Sequence, residues 1–165
     1  MAAGNRHYEA AFEDFLRSRQ AQYVAVSETH RALFAGVKVK SFDFLVAGRG
    51  GGTLIVDIKG RRAPGDGSAG LQNWVTRDDV DGLQRWEEVF GTGFAALLLF
   101  AYWLSEPPAE PGPEVHVYEG ACYRFLGVRL ADYAAGMRER SPKWGTVNVP
   151  SGFFREISRP ASEFL

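Results

Sequence analysis

A single cysteine, Cys122, leaves the chain without an intramolecular disulfide, and nothing in it calls for an oxidising compartment. Histidines are scarce and scattered: His7, His30 and His116 make no zinc pattern with one cysteine, and they offer no Ser-His-Asp arrangement. The longest apolar run, residues 94–104, is well short of the roughly 20 residues a membrane helix needs. It is expected as a buried strand, and no membrane partner is expected. The opening segment is charged and amphipathic rather than apolar, so no secretory signal is expected and the cytoplasm is the default location. Nor does charge of one sign dominate. With 19 basic and 20 acidic residues the net charge is −1, which argues against a protein that coats nucleic acid by bulk charge. An enzyme whose basic groups gather at one cleft remains compatible. Local basic clusters do occur at Arg17 and Arg19, at Lys59, Arg61 and Arg62, and at Arg138, Arg140 and Lys143, although any one of them alone reads as solvated surface.

What is present is an ordinary globular composition. Hydrophobic residues make up 45% of the 165 positions and charged residues 24%, enough for one domain with a proper core and too apolar for disorder. Residues 5–19 carry Tyr8, Ala11, Phe12, Phe15 and Leu16 at helical spacing, with Asn5 placed to cap the start. Glu9 falls at the margin of that stripe, while Glu13 and Asp14 lie farther toward water. Residues 23–26 read as a short strand. Residues 37–46 alternate, with Val39, Ser41, Asp43 and Leu45 on one face and Phe42, Phe44 and Val46 on the other. The glycine run 48–52 then turns the chain into a second strand, residues 53–59, making a hairpin. This run is no phosphate-binding loop, because it lacks the Gly-Lys-Ser/Thr ending and leads into a strand.

Glycine and proline make residues 60–70 a loop. Thr76-Arg-Asp-Asp79 fits a capping box, opening a helix with Val80, Leu83, Trp86 or Glu87, and Phe90 on its stripe and Gly91 at its end. After the buried strand 94–104, residues 105–114 form a proline-rich loop. Further strands are expected at 115–119 and 122–130, a short helix at 131–140, and a strand at 146–149. The aromatic tail is expected to pack back on the body. No repeat or second domain appears, and the sum is one mixed α/β domain.

The chemistry is concentrated in Ser41-Phe-Asp43 and Asp57-Ile58-Lys59. On a strand, Asp57 and Lys59 project from the same face, and Asp43 on the neighbouring strand reaches the same spot if the register brings the strand ends together. Two carboxylates and an ammonium on a half-buried sheet face are expensive unless something pairs them. A divalent cation does so, since Mg²⁺ takes one or two carboxylates, waters and phosphate oxygens, and the Ile58 carbonyl supplies one more oxygen. Lys59 would then orient or activate an attacking water.

This arrangement resembles the PD-(D/E)XK, or restriction-endonuclease-like, nuclease superfamily. Asp43 matches the first acidic motif, Asp57-Ile58-Lys59 the second, and Glu9 the acidic residue that many members carry on the leading helix. The opening His7-Tyr8-Glu9-Ala-Ala-Phe12-Glu13 resembles the start of a small bacterial branch of that superfamily. Phe42 stands where the name has proline. The resemblance implies a central mixed β-sheet flanked by helices and hydrolysis of phosphodiester bonds with Mg²⁺ or Mn²⁺. Nucleic acid is the implied partner, DNA ahead of RNA by family habit alone, with Asp43, Asp57, Ile58 and Glu9 around the metal.

Other residues carry two readings each. Glu28, which Arg31 could pair, rivals Glu9 for the acidic role. Arg61 and Arg62 could grip phosphates or be a solvated pair. Gln84 could touch substrate or water, or simply be a surface residue. Trp86 and Trp103 fit the core, whereas Trp74 beside the loop stays open to base stacking. Two rivals to a nuclease remain: an inactive nuclease-fold domain that binds nucleic acid or protein, and an assembly domain in which Asp57 and Lys59 form an ordinary ion pair. A homodimer would let a domain this small cut both strands, and a separate specificity partner would supply the target choice for which no specificity domain is visible.

Overall fold

The computed structural model describes residues 2–27, 32–34, 37–110, 112 and 114–165. Helix α1 (Ala2–Ser18) leads into strands β1 (Tyr23–Ala25), β2 (Ala32–Phe34), β3 (Val37–Val39), β4 (Phe44–Ala47), β5 (Thr53–Ala63) and β6 (Val75–Thr76). Helix α2 (Arg77–Phe90), the long strand β7 (Phe94–Leu104), β8 (Val115–Tyr118), β9 (Ala121–Arg129) and helix α3 (Leu130–Gly136) follow. The chain ends with β10 (Arg138–Ser141), β11 (Thr146–Asn148), helix α4 (Ser151–Ile157), β12 (Arg159–Pro160) and a 3₁₀ turn (Ala161–Phe164).

The central sheet runs β1-β4-β5-β7-β9-β12, with β8 added on β9. All its pairings are antiparallel except β5 with β7, which run parallel along their whole length, Thr53 opposite Phe94 through Ala63 opposite Leu104. Parallel neighbours need a crossover, and α2 provides it. A mixed sheet whose two central strands are parallel must be covered on both faces, and two apolar clusters do this. On one face the α1 stripe of Tyr8, Ala11, Phe12, Phe15 and Leu16 packs against Leu54, Val56, Ile58 and Leu99. On the other, Val80 and Leu83 of α2 and Tyr133 of α3 pack against Ile55, Leu98 and Phe100. Strand alternation therefore sends 54, 56 and 58 toward α1, and 55, 57, 59 and 61 toward α2.

The main differences from the sequence-predicted elements are three. The expected strand 37–46 is split. Its first part, β3, pairs with β2 in a separate ribbon, and its last part, β4, joins the central sheet. The alternation fails between them, because Phe42 belongs to the α2-side cluster, where it meets Trp86 edge-on, while Phe44 belongs to the α1 side. Second, β5 continues to Ala63 rather than stopping at Lys59, because the parallel ladder to β7 holds it through the glycine. Gly60 is required there by close approach: a Cβ would lie 2.2 Å from Cδ2 of Tyr8. Third, the expected helix 131–140 ends at Gly136 and is followed by β10, which pairs with β11, itself paired to β6. The helix α1 also starts at Ala2, ahead of Asn5. Among the described residues no helix is long and apolar enough to cross a membrane.

Candidate active site

The ladder between β4 and β5 ends at Phe44 opposite Val56, so among the described residues the β4-side edge of β5 beyond Val56 has no strand partner. Asp43 fills this gap. Its backbone N–H still donates to Val56 O (2.9 Å), and its own carbonyl accepts from Val26 N–H (2.8 Å). Its carboxylate oxygen Oδ2 accepts the Ile58 N–H at 2.6 Å. In extended backbone the N–H and C=O of one residue leave from the same edge, so the Ile58 carbonyl lies on the Asp43 side too.

Asp57 and Lys59 sit on the α2 side of β5, as alternation demands. Lys59 Nζ lies 2.9 Å from Asp57 Oδ2 and 3.0 Å from Asp79 Oδ1, and the three side chains are all mostly buried. Asp79 comes from the first turn of α2. Its N–H donates to Thr76 Oγ1 (3.0 Å), while its Oδ2 accepts the Thr76 N–H (2.9 Å), which closes the capping box. Its other oxygen accepts from both Lys59 and Lys40. One carboxylate thus starts a helix and fixes the lysine of the central strand.

The electrostatics of the two aspartates differ in sign. Burial pushes the Asp43 carboxyl from 3.8 up to about 8, with neighbouring Asp57 as the next cause and Glu9 adding to it against the Ile58 N–H. At Asp79 burial acts in the same upward direction but loses to Lys59, Lys40 and the Thr76 N–H, which bring the carboxyl down to about 2. For Lys59 burial favours the neutral amine, yet Asp57 and Asp79 outweigh it and hold the ammonium charged. The centre is therefore a charged Lys59 ammonium held between Asp57 and Asp79, beside an Asp43 carboxyl that gives up its proton only reluctantly.

The sequence-predicted residues do gather here: Asp43, Asp57 and Lys59 are neighbours, and Glu9 of α1 is near enough to act on Asp43. Glu28, its rival, lies outside the described residues, as does Arg31. Gln84 is exposed on α2, and Arg62 is exposed on the α1 side with its guanidinium 4.0 Å from the Trp103 ring. Arg61 turns inward, donating to Gly60 O and Trp74 O (2.8 and 2.6 Å) and lying 3.9 Å over the Trp74 ring. That covering takes up the tryptophan face that the sequence had left open for a base. Two residues of the site had no functional reading in the sequence, Asp79 and Lys40. The capping box gave the signal for Asp79, but only for its structural half.

Among the described residues no three His, Cys, Asp or Glu side chains form a ready-made metal cage. The donors present suit a hard cation that keeps most of its water: two buried carboxylates, one of them destabilised by the other, and a backbone carbonyl at an unpaired strand edge.

The mixed α/β fold is shared with a solved Holliday junction resolvase. The solved structure of Hjc, a Holliday junction resolvase from the archaeal hyperthermophile Archaeoglobus fulgidus, superposes with a TM-score of 0.54. The match covers 92% of this chain and 93% of that one at 12% sequence identity. No protein-family model and no curated protein sequence matches the chain.

Proposed function

We propose that this chain is a divalent-metal-dependent nuclease that hydrolyses phosphodiester bonds, in DNA ahead of RNA. The observation that carries the reading is the juxtaposition of Asp43, Asp57 and Lys59 on one buried strand edge, within a fold shared with a DNA resolvase. Asp43, Asp57 and the Ile58 carbonyl would hold Mg²⁺ or Mn²⁺, with Glu9 assisting directly or through water. The metal would supply Lewis-acid stabilisation of charge on the scissile phosphate.

The chain's own groups have definable tasks. Lys59 has three N–H donors. Among the described residues Asp57 and Asp79 take two of them, and the third would meet the attacking water or a phosphate oxygen. Asp79 holds that ammonium in place and charged. Asp43 is a carboxylate that a cation converts from an uncomfortable anion into a ligand, so metal binding and proton release are coupled at this residue. The His7-Tyr8-Glu9 opening, which resembles the start of a small bacterial branch, belongs to the same reading, with Glu9 as its active-site member. A cytoplasmic setting, in which Cys122 stays a thiol, suits it as well.

A second reading has one observation in its favour. Lys59 is already satisfied by two carboxylates, which is how an inactive nuclease-fold binding or assembly domain would look. Calorimetric titration of Mn²⁺ into metal-free wild type and Asp57→Ala separates the two. Binding to wild type that is lost in the variant, with Mn²⁺-dependent cleavage of DNA lost in parallel, is the expected result. Neither binding nor cleavage by wild type would favour the inactive domain, and equal binding by both proteins would put the metal elsewhere.

A further inference from the structure

The β10–β11 ribbon carries charge and aromatic surface that the reaction centre does not use. Arg138 and Arg140 are both exposed on β10, whose pairing with β11 shifts register at Arg140. Both arginines line a cleft of about 160 Å³, completed by Gln72, Trp74, Asn148 and Ser151 among others, and among the described residues no acidic side chain lines it. The Arg140 guanidinium also lies 5.2 Å over the Trp74 ring, which Arg61 covers at 3.9 Å. In the turn that follows, Trp144 is 69% exposed, the most exposed large hydrophobic residue described, with Lys143 Nζ 5.2 Å from its ring.

This surface is firmly tied to the reaction centre. β11 pairs with β6, the two residues that lead into α2, and Arg77 N–H donates to Gly145 O at 2.8 Å. Asn73 exchanges two side-chain hydrogen bonds with Val149, both 3.0 Å, and Tyr133 OH donates to Asn73 O at 2.8 Å. The same α2 turn carries Asp79, which holds Lys59. A ligand gripped by the ribbon is therefore held in register with the lysine.

Planar guanidinium forks recognise phosphate oxygens, and an exposed indole stacks on a base of any sequence. In a chain of net charge −1, a cleft with two arginines and no acid among its described residues is where a polyanion would concentrate. We infer that the β10–β11 ribbon grips nucleic acid, with Arg138 and Arg140 on a backbone phosphate and Trp144 stacked on an unpaired base. The protein then favours DNA in which a single-stranded stretch adjoins a duplex over a continuous duplex. This inference rests on the nuclease reading for its choice of ligand.

The test is fluorescence anisotropy in metal-free buffer, where cleavage is blocked, with a labelled duplex carrying a single-stranded tail and a blunt duplex of the same sequence. All three side chains are exposed, and thermal melts of the variants check that each is folded. Arg138→Gln with Arg140→Gln should weaken binding to both DNAs by about ten-fold and reduce the salt dependence by about one counterion, for the one phosphate they hold. Trp144→Ala should weaken tailed DNA by about ten-fold and leave blunt DNA nearly unchanged. Wild-type affinities for both variants, or no preference of wild type for the tail, would overturn the inference. Mn²⁺-dependent cleavage by wild type and Asp57→Ala is measured on the same DNAs. Binding that follows the ribbon without any cleavage would sink the nuclease reading alone. Cleavage with unaltered binding by the ribbon variants would sink the ribbon alone, and no binding by wild type would sink both.

Discussion

Replacing Asp79 by asparagine removes charge from the candidate site while keeping its shape. An amide oxygen can still accept the Thr76 N–H, so the cap survives, but the ion pairs to Lys59 and Lys40 do not. The wild-type carboxyl is held at about 2, against 3.8 for a free one, by Lys59 and Lys40 over the opposing effect of burial. At 1.36 kcal/mol per unit, that depression corresponds to roughly 2.5 kcal/mol of folding stability. Because the folded carboxyl is the more acidic one, the contribution is complete above about pH 4 and disappears as pH falls through 2. Asp79→Asn should therefore melt about 5–10 °C below wild type at pH 7, and the gap should narrow as the pH is lowered toward 2.

Urea denaturation followed by circular dichroism across that pH range reads the difference directly. Thr76→Ala is the control, since it removes the cap and leaves the charges, at a cost of about 1 kcal/mol with no such pH dependence. An Asp79→Asn deficit that stays constant down to pH 2, or no deficit at pH 7, would refute Lys59 and Lys40 as the source of the stability. If Asp79 also positions the lysine, cleavage should fall in kcat more than in KM, because the ammonium has lost one of its two anchors.

The remaining expectations concern the neighbours of this carboxylate. Asp43→Asn should gain stability over wild type between about pH 4 and pH 8 in metal-free buffer. The folded carboxyl, pushed up to about 8, keeps its proton where the unfolded one near 3.8 has lost it, so wild-type stability falls across that window; a pH-independent difference in urea midpoints would contradict this. The same variant should lose Mn²⁺ protection against thermal unfolding, which wild type should show more strongly at pH 8 than at pH 6. Gly60→Ala should destabilise by about 1–3 kcal/mol through overpacking against the Tyr8 ring, and an unchanged melting temperature would mean that α1 shifts freely. Lys59→Met should abolish cleavage and lower stability, since it leaves Asp57 and Asp79 facing each other without their cation; retained activity would remove the lysine from the mechanism.

The parts of the site that could be read in the sequence are those governed by local periodicity. A spacing of two on a strand puts Asp57 and Lys59 on one face, and Thr-x-x-Asp before an apolar stripe opens a helix; both hold in the structure. The parts that could not be read depend on contacts distant in sequence. Strict alternation placed Phe42 with Phe44, but the strand gives way at Asp43, where the carboxylate replaces a ladder partner for Ile58 and Phe42 swings to Trp86. Gly60 and Pro64 made the second half of β5 look like loop, although its pairing with β7, some forty residues on, keeps it extended to Ala63. Asp79 reads locally as a cap, and only the folding of α2 across the sheet reveals its second bond, to Lys59.

The energetics also bear on why such a centre would be kept. Buried ion pairs do little for stability compared with well-packed apolar residues of similar volume, and Asp43 beside Asp57 is unfavourable in its ionised form. An assembly domain would be better served by apolar residues at these positions, as in the Leu54-Ile55-Val56 run that precedes them in β5. Groups whose ionisation is displaced in opposite directions around one strand, Asp43 upward and Asp79 downward, are characteristic of functional sites. The unfavourable carboxylate is the feature that a cation would relieve and that an inert scaffold would have no reason to retain. For this reason the metal titration at Asp57, rather than any measurement of fold, is what divides the two readings.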